Sequence, residues 1–164
     1  MVDSHSHGSD SSRTITRPMN EYGSAEAVLS AVWFQTSAHT LAAGLGVKSL
    51  RIYDIRASNP SLSTTTKIIN GIKMDPMREN IFASYSDENV IALWDTRYFT
   101  EPVFSIVTET GPIEEVQFCP SRRGVLASFS RDEFCLDVWE LHDHTSDSSP
   151  RGQFEFWKSS KCLC

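Results

Sequence analysis

Short apolar runs alternate with polar breaks between residues 24 and 144, and one phrase returns three times. It reads Leu50-Arg51-Ile52-Tyr53-Asp54, then Val90-Ile91-Ala92-Leu93-Trp94-Asp95, then Leu136-Asp137-Val138-Trp139-Glu140. Each has strand length, carries apolar residues at alternate positions and closes on an aromatic residue and an acid. Side chains two apart share one face of a strand, so each phrase predicts a strand with a packed face. The closing acids stand at 54, 95 and 140, so the phrase returns after 41 and then 45 residues. A period of about 40–45 residues ending in an aromatic–acid pair is the pattern of four-stranded propeller blades.

The rest of each unit follows suit. A short alternating strand is predicted ahead of each phrase, at Val28 to Phe34, Gly71 to Met74 and Ile113 to Phe118. The second and third run into Asp75-Pro76 and Cys119-Pro120, where proline sets a turn. Small-residue strands follow at Leu41 to Gly44, Ile81 to Ser84 and Val125 to Ser128. Polar turns come next, Ser86-Asp87-Glu88-Asn89 and Ser130-Arg131-Asp132-Glu133, with Gly46 in place of the acid in the first unit. Pro102 to Val107 best fits an outer strand. The expectation is an all-β chain, a partial propeller of about three four-stranded blades over about 24–66, 67–107 and 108–144. Residues 1–23 and 145–164 are expected as a disordered N-terminal tail and an irregular C-terminal tail, because they hold too few aliphatic side chains to offset the entropy of ordering.

Composition narrows the function. The 164 residues suit one domain, and 15 Lys and Arg against 21 Asp and Glu give a net charge of −6. Phosphate backbones are held by clustered cations, so no nucleic-acid partner is expected. No apolar run nears the roughly 20 residues of a spanning helix, so no direct membrane insertion is expected. The N-terminus lacks the apolar core of a signal peptide. A cytoplasmic chain is expected, with Cys119, Cys135, Cys162 and Cys164 as free thiols.

Tyr53, Trp94 and Trp139 are expected inside the blades, with Asp54, Asp95 and Glu140 closing their strands. Asp87 and Asp132 are expected to bond their own turn backbones. Neither has a facing acid or base at a spacing that catalysis needs. Gly44-Leu45-Gly46-Val47-Lys48-Ser49 is not a phosphate loop, since Val47 stands where glycine must precede the lysine. His5 and His7 with Asp3 and Asp10, like His142 and His144, lack a preorganised ligand shell. There is no Cys-x-x-Cys and no G-x-S-x-G elbow. The terminal Cys162-Leu163-Cys164 resembles the prenylated ends of Rab-type GTPases, but Lys161 stands where a C-a-a-X box needs cysteine. No enzymatic activity, cofactor or metal is expected. Arg97, Phe99, Arg122 and Arg123 follow blade phrases in loops and are the interface candidates, because arginine's planar fork suits protein contacts.

These units resemble WD repeats, and from about Val28 to Leu141 the chain resembles the Mio (missing oocyte) family of WD-repeat proteins. Three stretches carry the resemblance: Asn70 to Pro76 (NGIKMDP), Ile91 to Val103 (IALWDTRYFTEPV) and Val116 to Ser128 (VQFCPSRRGVLAS). Arg97, Phe99 and Pro102 after Trp94-Asp95, and the Cys119-Pro120-Ser121-Arg122 turn, go beyond a generic blade.

The resemblance implies a non-enzymatic scaffold. Mio-family proteins are subunits of a propeller-rich complex that relays amino-acid sufficiency to the TOR kinase by opposing a GTPase-activating complex. It implies other propeller subunits as partners, positive regulation of TOR signalling, and a peripheral place at the lysosomal surface through the complex. Two alternatives stay open: a truncated propeller fragment without function, and a generic WD-repeat adaptor of another complex. No unit has the Gly-His pair that often opens a WD repeat, so an incomplete Asp–His–Ser–Trp network is expected. Propellers close with 4–8 blades, so three predict an open, curved stack with exposed flanks that could pair with another chain.

Overall fold

A computed structural model of the chain describes residues 18, 20–22, 26–130, 135–144 and 153–162, with backbone alone at 135, 142–144 and 153–162. The described residues form three antiparallel four-stranded meanders. The first sheet holds β1 (Val28–Trp33), β2 (Thr40–Leu45), β3 (Ser49–Asp54) and β4 (Pro60–Thr65). The second holds β5 (Ile69–Met74), β6 (Ile81–Ser86), β7 (Val90–Asp95) and β8 (Phe104–Val107). The third holds β9 (Ile113–Phe118), β10 (Val125–Ser130), β11 (Cys135–His144) and β12 (Gln153–Cys162). The fold is thus all-β, a partial WD40 propeller.

Registers make the sheets superimposable residue by residue. Thr40 pairs with Asp54, Ile81 with Asp95 and Val125 with Glu140, so these pairs are equivalent. The β2–β3 and β6–β7 hairpins each turn through three residues, and the third residue is left-handed in both, Lys48 at φ 58° and Asn89 at φ 61°. Their carbonyls then accept N–H groups from the start of the next connection, Thr66 and Thr108, each at 2.8 Å.

The second sheet is covered on both faces. Ala92 and Trp94 of β7 join a core with Ala42, Leu50 and Ile52 of the first sheet. Ile91 and Leu93 join a second core with Val116, Leu126 and Trp139 of the third. That explains why Val90-Ile91-Ala92-Leu93-Trp94 is nearly continuous in apolar residues: a strand buried on both sides keeps no polar face. All six residues of β6 are buried for the same reason.

The structure corrects the expected tails where it describes them. The Tyr22 ring lies 4.9 Å from the Tyr53 ring, its hydroxyl donates to the Asp54 carbonyl, and the Asn20 amide donates to the Ile55 carbonyl. Residues 20–22 therefore pack on the first sheet, since a single aromatic ring finds a partner there despite the polar sequence around it. The irregular tail expected over 145–164 is likewise corrected, because Gln153–Cys162 pairs with β11 along ten residues and is the outer strand of the third sheet. The third unit extends past residue 144 accordingly. Residues 1–17, and Asp132 with the turn around it, lie outside the described residues.

Candidate interaction surface

In the second and third sheets the repeated aromatic sits on the side that faces the preceding sheet. Trp94 is fully buried, and its indole N–H donates to Ser84 Oγ at 2.8 Å. Trp139 donates to Ser128 Oγ at 2.9 Å in the same way. A Trp N–H removed from water needs such an acceptor. In the first sheet both partners differ together: Tyr53 replaces the tryptophan, and Ala43 stands where register puts Ser84 and Ser128. The serine–tryptophan half of the WD network is therefore present in two sheets and absent from the first. There the segment before β1 fills in, with the Tyr22 ring tilted against Tyr53 and Glu26 paired to Arg51 at 2.8 Å.

The acids that close the strands hold arginines. Asp95 Oδ1 accepts the Arg97 N–H at 2.9 Å, and the Arg97 side chain returns to Asp95 at 2.6 Å. Asp54 and Arg56 repeat the device with the same geometry. Hydrogen bonds from the Arg56 side chain and backbone hold the Asp54 carboxyl well below its ordinary range. In the third sheet Glu140 is longer by a methylene, and its partner is Arg122 from the β9–β10 turn. Asp75 closes its own turn, accepting Met77 N–H at 2.8 Å and Arg78 at 2.6 Å in a nearly buried pair. Cys119 takes the place of Asp75 in the third sheet, since both N–H groups pair with the first residue of the next strand, Ile81 and Val125. Hydrogen bonds from Ser121, and the nearby Arg122, lower the Cys119 thiol below its ordinary range.

Of the interface candidates, the structure brings two together. Arg97 and Arg123 line one open depression on the rim, with Gln35, Thr36, Met77 and Asn80. Arg97 remains 64% exposed although it is clamped by Asp95. Arg122 turns instead toward Glu140. Phe99 is corrected: it is a core residue, 6% exposed, with its ring 5.8 Å from Trp94. The single 3-10 turn Thr96–Tyr98 folds the chain back so that Phe99 covers the indole. The exposed aromatic of this loop is Tyr98, 50% exposed, with the Arg97 guanidinium 6.0 Å from its ring centre. Sequence reasoning missed Tyr98 and Met77, because neither differs in pattern from a core residue. The Asp-x-Arg spacing at 54/56 and 95/97 was the available signal for the clamps. Asp87 is an exposed turn residue.

Among the described residues, no three His, Cys, Asp or Glu side chains gather as metal ligands would, and no helix is long and apolar enough to cross a membrane. The arrangement is a rigid rim of arginine, tyrosine and methionine side chains over packed sheets.

Comparison with known proteins gives the family. The family model described as MIOS, WD40 repeat matches residues 2–153. The GATOR2 complex protein MIOS of Dictyostelium discoideum is 32% identical over 96% of this chain and 14% of its own length. MIOS-A of Xenopus laevis is 32% identical over 84% of this chain and MIOS of Danio rerio 33% over 83%, each over 15% of its own length. The chain thus spans about one seventh of these relatives. The repeat phrase, the three registered sheets and a family match over nearly the whole chain agree, and the chain belongs to the MIOS WD40-repeat family.

Proposed function

We propose that this chain is a non-enzymatic docking module for a complex of the GATOR2 kind, acting in the relay of amino-acid sufficiency to the TOR kinase. The observation that carries the reading is the similarity to a GATOR2 complex protein over 96% of the chain. The Arg97–Tyr98–Met77 rim supports it, because arginine and tyrosine are the side chains that anchor protein interfaces. Loops on a rigid scaffold carry such contacts. The direct partners in this proposal are other propeller subunits, and the chain reaches the lysosomal surface only through them. Arg97, Tyr98, Arg122 and Arg123 are the proposed contact residues, and the buried Tyr53, Trp94 and Trp139 hold the sheets that present them.

The test is to express the tagged chain at native level in its own cells and identify what co-purifies, beside an Arg97→Glu, Tyr98→Ala variant. Recovery of propeller subunits of the TOR-regulating complex, lost in the variant, is the expected result. Recovery of chaperones and proteasome components alone would mean a fragment without a scaffold role. Recovery of a chromatin or ubiquitin assembly would mean an adaptor of another complex.

A further inference from the structure

In every sheet the first residue of the third strand stands opposite the last residue of the fourth. These pairs are Ser49 with Thr65, Val90 with Val107 and Cys135 with Cys162. Two of the chain's four cysteines thus share one register position. The equivalent corner of the other two sheets is open to solvent, since Thr65 is exposed and Val107 is 72% exposed.

The backbone decides what chemistry such a pair can do. Opposed residues of antiparallel strands alternate between hydrogen-bonded pairs and closer, non-hydrogen-bonded ones. The Leu141 N–H donates to the Gly124 carbonyl at 2.8 Å, so at this point β11 bonds toward β10. The β10–β11 register continues without a shift, and every second residue back along β11 takes the same kind of position: Trp139, Asp137 and Cys135. Toward β12, Cys135 therefore stands at a non-hydrogen-bonded position. The second sheet repeats the pattern. There the Thr96 N–H donates to Asn80 on the β6 side and Asn89 accepts the Thr108 N–H on the other, so Val90 is likewise not bonded toward β8. Non-hydrogen-bonded partners have Cα atoms about 4.5 Å apart, within the roughly 4.4–6.8 Å that a disulfide spans.

We propose that Cys135 and Cys162 form a reversible disulfide, made by hydrogen peroxide, that staples β12 to β11. One thiolate attacks a peroxide oxygen; the O–O bond breaks, and the departing hydroxide takes up a proton to become water. The second thiol attacks the resulting sulfenic acid at sulfur, an S–S bond replaces the S–O bond, and a second water leaves. The two thiols lose two electrons and the peroxide gains them. In a reducing compartment a dithiol reductant restores both thiols, so the bond marks oxidising conditions only. The staple has a mechanical consequence, because β12 pairs with β11 alone in its sheet. A link at the end of an outer strand fixes its register, in which a slip of one residue exchanges the two faces. This modification is independent of the docking role proposed above.

The test treats the purified chain with hydrogen peroxide, alkylates it with iodoacetamide and digests it with trypsin without reduction. Mass spectrometry should find residues 132–151 joined to residues 162–164, the tryptic peptides that carry Cys135 and Cys162. The joined pair should persist in Cys164→Ser, vanish in Cys162→Ser and be released by dithiothreitol. Small hydroxyl residues occupy both positions in the first sheet, as Ser49 and Thr65, so serine suits this corner. In urea, which removes the register, the four cysteines should pair without this preference. A link through Cys164 that survives Cys162→Ser overturns the proposal. So does a folded chain whose pairing matches that in urea, or one in which Cys135 and Cys162 are only alkylated or oxidised singly.

Discussion

The Trp94 indole N–H and Ser84 Oγ meet at 2.8 Å across the β6–β7 pair, and neither is more than 3% exposed. The bond explains why a polar serine is tolerated between two cores. It satisfies a donor that water cannot reach. Ser84→Ala leaves that donor buried and unsatisfied, which costs about 1–3 kcal/mol. Urea unfolding should therefore show a lower midpoint with an unchanged slope. The reverse change in the first sheet, Ala43→Ser, gains no such bond, because Tyr53 stands there in place of tryptophan. A Ser84→Ala chain as stable as the wild type would remove the bond from the account.

Much of this fold was legible because two independent signals coincided. Alternation gave the strands, and a 41- and 45-residue return grouped them into units. What stayed hidden either lacked an apolar pattern or stood behind a polar stretch. β4 reads Pro-Ser-Leu-Ser-Thr-Thr, lies exposed along the edge of its sheet, and is held by its pairing with β3. β12 was hidden for a related reason: it follows a polar stretch that resembles a tail. The interface candidates were only partly legible. A loop arginine such as Arg97 can be guessed from its place after Trp94-Asp95. The burial of Phe99 depends on a 3-10 turn that the sequence does not announce.

Gly71 is required by its neighbour across the sheet. A Cβ at this position would lie 2.2 Å from the Tyr85 ring and hydroxyl, and Tyr85 is itself wedged against the third sheet. Gly71→Ala should destabilise by about 1–3 kcal/mol through overpacking. The cause is checked by repeating the change in a Tyr85→Ala background, where the obstructing ring is gone. There the added methyl should cost little, so the two substitutions should be strongly non-additive. Additive losses in thermal melts would mean that the Tyr85 ring is not what excludes the methyl.

The Asp54–Arg56 clamp predicts a pH response with a definite sign. The Arg56 side chain, then its backbone N–H, bond the Asp54 carboxylate and hold its pKa well below the ordinary 3.8. In the unfolded chain Asp54 protonates near that ordinary value, so it binds protons there that the folded state refuses. The clamp's contribution is therefore complete above about pH 4 and is lost as pH falls through the depressed folded value. Titration of the Asp54 carboxyl carbon by nuclear magnetic resonance should give a midpoint below 3.8, and Arg56→Gln should move it upward. Added salt should narrow the difference, because the pair stands at the surface. A wild-type midpoint at the ordinary value would mean that the clamp is not held in solution.

Cys119 offers a chemical readout of the β9–β10 turn. Its sulfur lies 3.7 Å from Ser121 Oγ, and hydrogen bonds from the Ser121 backbone and side chain stabilise the thiolate, with Arg122 adding a weaker attraction. Alkylation rate follows the thiolate fraction, so Cys119 should react with a midpoint below the ordinary thiol value of 9.0. Site-resolved mass spectrometry after timed iodoacetamide treatment across pH reads this directly. Ser121→Ala removes the side-chain bond and leaves the larger backbone one, so the midpoint should rise only partway toward 9.0. Ser121→Pro also removes the backbone N–H, and there the midpoint should come closest to the ordinary value. If both variants react like the wild type, the turn does not hold the sulfur against Ser121.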